Sequence, residues 1–116
     1  MSVCPECEFH FRIGAAERVR QLSDDRTFEP MFDNLTTNDP LKFNDLKPYT
    51  ERLKKEQEKT GQREGVQTGR AFIKGRPVML ACLDLTFFMG TLSGVVGEKI
   101  TRSIEHATEP DLPMII

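Results

Sequence analysis

The clearest patterning lies in the second half of the chain. Residues 65–73 alternate, with Val66, Thr68, Arg70 and Phe72 on one side, as in a strand with one covered face. Residues 77–85 follow, and Val78-Met-Leu-Ala-Cys-Leu83 is apolar without a break, the pattern of a strand buried on both faces. Lys74-Gly75-Arg76 between them is turn-sized, so the two runs predict a hairpin. The buried strand then runs into a turn containing Gly90 and Gly94. A helix is expected from near Val95, with a stripe at Val96, Ile100, Ile104 and Ala107, ending near Thr108 with Pro110 beyond. Residues 113–116 read as the start of another strand. Strand, turn, helix and strand make a βαβ unit, whose crossover is right-handed and lays its strands parallel.

The first half is less regular. Residues 8–13 alternate, placing Phe9, Phe11 and Ile13 on one face of a short expected strand. Gly14 reads as an N-cap for a helix over Ala15–Leu22 with Ala15, Val19 and Leu22 on its stripe. Residues 23–47 read as a loop wrapping a surface, pinned by Phe28, Phe32 and Phe43. Residues 48–60 predict a helix, with Pro48 in its first turn and Gly61 at C′. Only Tyr49 and Leu53 offer apolar surface there, so this helix is expected on the outside.

Length and charge narrow the classes. The chain has 116 residues, room for one domain, with 38% apolar and 29% charged residues. A net charge of −2 argues against a nucleic-acid binder working through a basic field. No apolar run approaches the roughly 20 residues a membrane span needs. Nothing after Met1 resembles a secretory leader. The 3 cysteines, with one CxxC pair, do not form a disulfide framework and suit a reducing, intracellular compartment.

The sharpest chemical feature is Cys4-Pro-Glu-Cys7. Two thiols at this spacing form a knuckle that can hold one side of a tetrahedral Zn²⁺, but a closed structural site takes four ligands. Cys82, His10 and His106 are the remaining candidates, and none forms a second pair. Cys82 reads as a small buried apolar residue, His10 as packing beside the knuckle, His106 as a solvated surface group. A redox role for the knuckle is disfavoured, because thioredoxin-type pairs follow a strand and open a helix. Gly90, Gly94 and Gly97 match neither a dinucleotide fingerprint nor a Walker loop. They admit two readings: a ligand approaching free helix N–H groups, or close packing of the helix on the sheet. Glu98 and Lys99 read as ordinary solvated first-turn charges.

Cys4-Pro-Glu-Cys7 through Ile13, Asn34-Leu-Thr, Asp39-Pro-Leu-Lys-Phe43, Leu46-Lys-Pro-Tyr49, Lys59-Thr-Gly61, the hairpin, Phe88-Met-Gly90 and Val95-Val-Gly-Glu-Lys-Ile100 occur in an order and spacing that resemble one family. It is the bacterial-type acetyl-CoA carboxylase carboxyltransferase β subunit. The resemblance implies an α/β fold, a partial crotonase-like core preceded by half of a zinc ribbon. The divisions expected from it are residues 1–13 for the ribbon half, 14–64 for a connecting segment, and 65–116 for the start of the core. Cys4 and Cys7 would be the metal ligands, and Gly90, Gly94 and Gly97 the substrate-side glycines, with Gly97 also packing the helix onto the sheet. The sequence departs from the family at Met89 and Ser93, where glycine is common. The implied reaction moves a carboxyl group from carboxybiotin, held on a biotin carboxyl carrier protein, to acetyl-CoA, giving malonyl-CoA for fatty acid biosynthesis. ATP is used by a separate biotin carboxylase, and an α subunit completes an α₂β₂ carboxyltransferase. By the same comparison the chain is expected to be a fragment. The first cysteine pair would lie upstream and the main oxyanion donors beyond Ile116, leaving no catalytic residue here and no activity alone. The expected location is the bacterial cytoplasm, with a plastid as the other possibility. The competing class is a free-standing zinc-ribbon binding module without enzymatic activity.

Overall fold

The computed structural model describes residues 2–37 and 39–116. Its elements run α1 (Ala15–Leu22), β1 (Glu29–Pro30), α2 (Tyr49–Thr60), β2 (Val66–Ile73), β3 (Arg76–Leu83), α3 (Gly94–Thr108) and β4 (Met114–Ile115). The hairpin forms as expected. β2 and β3 pair antiparallel from Val66–Leu83 to Ile73–Arg76. Lys74 and Gly75 both take positive φ, 50° and 74°, which matches the right-handed twist of the flanking strands. The Asp24 carboxylate accepts both turn amides, at 2.9 and 2.7 Å.

The sheet order is β1-β2-β3-β4, with β3 and β4 parallel through Met79–Met114 and Leu80–Ile115. That is the βαβ unit read from the sequence, with α3 as the crossover. β3 is covered on both faces because helices sit on either side. Leu80 and Cys82 pack with Ala15 and Val19 of α1, whereas Ala81 joins Val66 and Val96 with Ile100 and Met114 on the α3 side. α2 stays outside, and Leu53 is its one buried residue. Its left-handed C-cap is Gly61, as expected. No helix among the described residues is long and apolar enough to cross a membrane.

Three expectations change. Residues 8–13 are not a strand: Glu8 takes φ 58°, and pairing is limited to a bridge between Val3 and His10. Without a neighbouring strand the alternation has nothing to pair with, and Phe9 and Phe11 stack edge-to-face in solvent. The loop over 23–47 contains β1, which pairs Glu29 with Arg70 and Pro30 with Gly69 at the sheet edge. An edge tolerates proline because its missing N–H faces outward. Phe28 alone of the three expected pins packs on the main core. Finally, the buried stripe of α3 is Val95, Val96, Lys99, Ser103 and Ala107, so Ile104 is exposed and a lysine takes a core position.

Candidate functional site

The segment between β3 and α3 begins at Asp84, which is fully buried. Its carboxylate accepts the Ala15 N–H at 2.7 Å, the Gln62 amide at 2.6 Å, and the Thr86 N–H and hydroxyl at 2.8 and 2.5 Å. Burial works to raise the Asp84 pKa. Hydrogen bonds from Gln62, Thr86 and Ala15 outweigh it and hold the carboxyl below its ordinary range. One carboxylate thus ties α1, the end of α2 and the start of the turn together. A Cβ at Gly14 would lie 3.1 Å from this carboxylate, which explains a glycine at the N-cap of α1.

Beyond Asp84 the backbone takes an unusual course. Phe88, Met89 and Gly90 have successive φ of 43°, 53° and 78°. Left-handed geometry costs a non-glycine residue roughly 1–2 kcal/mol, so Phe88 and Met89 store roughly 2–4 kcal/mol. The surroundings must over-determine such a turn. Gly90 donates its N–H to the Phe87 carbonyl at 2.9 Å, and the Thr91 hydroxyl donates to the Phe88 carbonyl at 2.6 Å. A Cβ at Gly90 would come within 2.8 Å of the Leu85 side chain. Phe88 is held from three sides. Its ring stacks on Tyr49 at 6.2 Å, lies 5.6 Å from the Arg52 guanidinium carbon, and meets Phe87 edge-to-face at 5.3 Å. Phe87 is itself 2% exposed.

This turn forms one wall of a cleft of about 470 Å³. Asp39, Leu41 and Phe43 of the wrapping loop form the facing wall, Tyr49 and Arg52 line it from α2, and Leu92, Ser93 and Gly94 close it at the start of α3. Leu41 and Leu92 are respectively 84% and 68% exposed, an apolar rim of the sort that marks a binding surface. Ser93 caps α3, its hydroxyl oxygen accepting the Val96 N–H at 3.1 Å while its O–H donates to Glu64 at 3.3 Å. Glu64 is 6% exposed. Burial pushes its carboxyl up, against the Ser93 hydroxyl, the Lys99 charge and the Gly65 N–H. Burial, then the carboxylates of Glu64 and Asp39, also raise the Tyr49 phenol.

The residues singled out from the sequence are dispersed. Gly94 lines the cleft, Gly90 sits in the strained turn behind it, and Gly97 faces solvent one turn into α3. A Cβ at Gly94 or Gly97 would meet open space, so helix-on-sheet packing requires neither glycine. Glu98 pairs with Arg102 on the surface as expected. Lys99 does not: it is 4% exposed, and its ammonium donates to Asp33 at 2.9 Å and to the Val66 carbonyl at 3.2 Å. Its place three residues after Val96 and four before Ser103, on the buried face, was the signal for this. Cys82 is buried beside α1 and its thiol is pushed up by desolvation, while His10 and His106 are exposed. Tyr49 stands in the Leu46-Lys-Pro-Tyr49 motif, but its place in the cleft, like that of Arg52 and the bond of Glu64 to Ser93, becomes visible only once the turn and α2 meet.

Cys4 and Cys7 stand apart from the cleft. The Cys7 N–H, the Glu6 N–H and the Cys7 thiol all donate toward the Cys4 sulfur and lower its pKa. The Cys4 N–H bonds Phe9 O, and the Glu8 N–H returns to Cys4 O. A turn that aims amides at a thiolate suits a metal-binding knuckle. The donor set fits one edge of a tetrahedral site. Among the described residues no group of three or more His, Cys, Asp or Glu could hold a metal ion.

Residues 35–116 match the carboxyl transferase domain family. The chain is 49% identical over its whole length to the acetyl-coenzyme A carboxylase carboxyl transferase subunit beta of Rhodopirellula baltica, covering 37% of that protein. It is 50% identical to the subunit of the same name from Crocosphaera subtropica, over 98% of this chain and 36% of that protein. The chain therefore spans little more than a third of the length of these relatives. Among solved structures, transcarboxylase 12S with methylmalonyl-coenzyme A and methylmalonic acid bound superposes with a TM-score of 0.67 at 24% identity, over 89% of this chain and 18% of that one. That likeness shows the crotonase-like α/β fold of the carboxyltransferases.

Proposed function

Because the chain belongs to the carboxyl transferase domain family, we propose that it forms part of the acyl-CoA side of a biotin-dependent carboxyltransferase, the β subunit of an acetyl-CoA carboxylase. The reaction would carry a carboxyl group to acetyl-CoA and give malonyl-CoA for fatty acid synthesis. The observation that carries this reading is the cleft of about 470 Å³ between the left-handed turn and the start of α3, lying within the family-matched region.

In this reading the cleft takes the acyl-CoA thioester arm. Leu41, Phe43 and Leu92 offer apolar surface to its methylene chain. A proton would leave the acetyl methyl group, the resulting enolate carbon would bond to the carboxyl carbon as the N–CO₂ bond breaks, and the biotin nitrogen so freed would take up a proton in turn. Carboxybiotin, presented by its carrier protein, supplies that carboxyl group. Negative charge develops on the thioester oxygen, and preorganised N–H donors in a dry site stabilise it. The opening turn of α3, at Gly94, adds the positive end of a helix dipole. Ser93 and Glu64 fix that end of the helix. Cys4 and Cys7 would hold one edge of a structural zinc. Partner α subunit, carrier protein and biotin carboxylase, the last using ATP, complete the assembly in a reducing cytoplasm.

Co-expression with an α-type carboxyltransferase subunit tests the reading. Co-purification of the two, with acetyl-CoA retained by the complex, is the expected result. Co-purification of nucleic acid in place of the α subunit would favour a free-standing zinc-ribbon module and contradict the carboxyltransferase assignment.

A further inference from the structure

α2 carries one buried residue, Leu53, so core packing gives little reason for its position. Its inner face does something else. Tyr49 and Arg52 are spaced i, i+3 and project from the same side of the helix. Both reach one side chain, Phe88, the first residue of the left-handed turn. Arg52 is held in place by Asp45, at 2.6 Å, from the loop that enters α2.

We propose that Tyr49 and Arg52 are positioning residues: together they clamp Phe88 and hold the Phe88–Gly90 turn in the strained shape that forms the cleft wall. A stacked ring and a guanidinium over an aromatic face are each attractive, and both contacts vanish if the turn relaxes toward ordinary backbone geometry. The hydrogen bonds of Gly90 and Thr91 lie within the turn and close it locally. The ring contacts come from a separate helix and tie the turn to the rest of the molecule. Phe87, buried behind, is the anvil against which Phe88 is pressed. The clamp's role in substrate binding rests on the carboxyltransferase reading; the clamp itself rests on the geometry of α2 and the turn.

The test is hydrogen exchange at residues 88–90 in the full chain, with residues 66–83 as the internal reference and acetyl-CoA as the ligand probe. Tyr49→Ala is expected to speed exchange of the turn about tenfold and Arg52→Ala about threefold, the sizes set by one aromatic pair and one cation–π contact. The hairpin should keep wild-type protection, and Tyr49→Phe should restore most of what Tyr49→Ala loses. Wild-type exchange of the turn in both alanine variants overturns the proposal, as does equal loosening of turn and hairpin. Should Tyr49→Ala fail to fold, Arg52→Ala, at a half-exposed side chain, carries the same test. Acetyl-CoA reads the substrate role separately. Weaker binding in the loosened variants extends the clamp to function. A loosened turn in a chain whose wild type ignores acetyl-CoA sinks the substrate reading and leaves the clamp standing.

Discussion

Asp84 and Glu64 are both buried carboxyls, and their surroundings push them in opposite directions. Asp84 accepts four hydrogen bonds that require its charge, so its folded pKa lies below the ordinary value of 3.8. Its stabilisation is present above that value and is lost as pH falls through the lower folded one. Asp84→Asn turns an amide toward N–H donors and should cost about 3 kcal/mol at neutral pH, since hydrogen bonds to charged groups are the strong ones. Glu64 is desolvated with fewer partners, and its folded pKa lies above the ordinary 4.5. The stability it contributes when neutral is present below 4.5 and lost as pH rises through the raised value. Melting curves across pH should therefore show Glu64→Gln gaining on wild type as pH climbs past 4.5. Asp84→Asn should converge on wild type as pH drops below 3.8. The same sign of pH dependence in both variants would contradict the environments described for them.

At the scale of elements, glycines separate what packing demands from what it tolerates. A Cβ at Gly69 would fall 2.3 Å from the Glu29 carbonyl oxygen and 2.8 Å from the Phe28 ring, so β1 and β2 could not stay paired. Gly69→Ala should destabilise by about 3 kcal/mol or more, in the range of overpacked cores. Gly97 sits exposed inside α3 with open space around its Cβ position, and Gly97→Ala should raise stability by about 1 kcal/mol through helix propensity alone. Thermal melts of the two variants check both signs, and a destabilised Gly97→Ala would show that packing uses this glycine after all. The hairpin, α1, α2 and the βαβ unit were legible because each depends on local periodicity and turn chemistry. β1 was not, because two residues have no period and Glu29–Pro30 pair only where the β2 edge offers partners. The strand expected over 8–13 had the period but no neighbour. Lys99 was misread because its burial depends on Asp33, distant in sequence, and on the Val66 carbonyl. Of the candidate site, Gly90 and Gly94 were visible as glycines, whereas the Tyr49–Arg52–Phe88 contact exists only through the placement of α2 against the turn.

The whole molecule is a flat body, 47 × 45 × 18 Å, with a radius of gyration of 15.7 Å. A compact domain of this length would have about 13 Å. Leu41 and Leu92 at the cleft are exposed, as are Leu46, Met89, Ile104 and Ile116 elsewhere on the surface. Exposed apolar surface of this kind suits contact with other protein. The central proposal is that the cleft at the left-handed turn receives an acyl-CoA. The most direct measurement is a titration of the isotope-labelled chain with acetyl-CoA, followed by backbone amide shifts. Shifts confined to Phe43, Tyr49, Phe88 and the residues leading into Gly94, with α1 undisturbed, are the expected result. An unchanged spectrum at saturating acetyl-CoA, or shifts gathered at Cys4 and Cys7 instead, would contradict it.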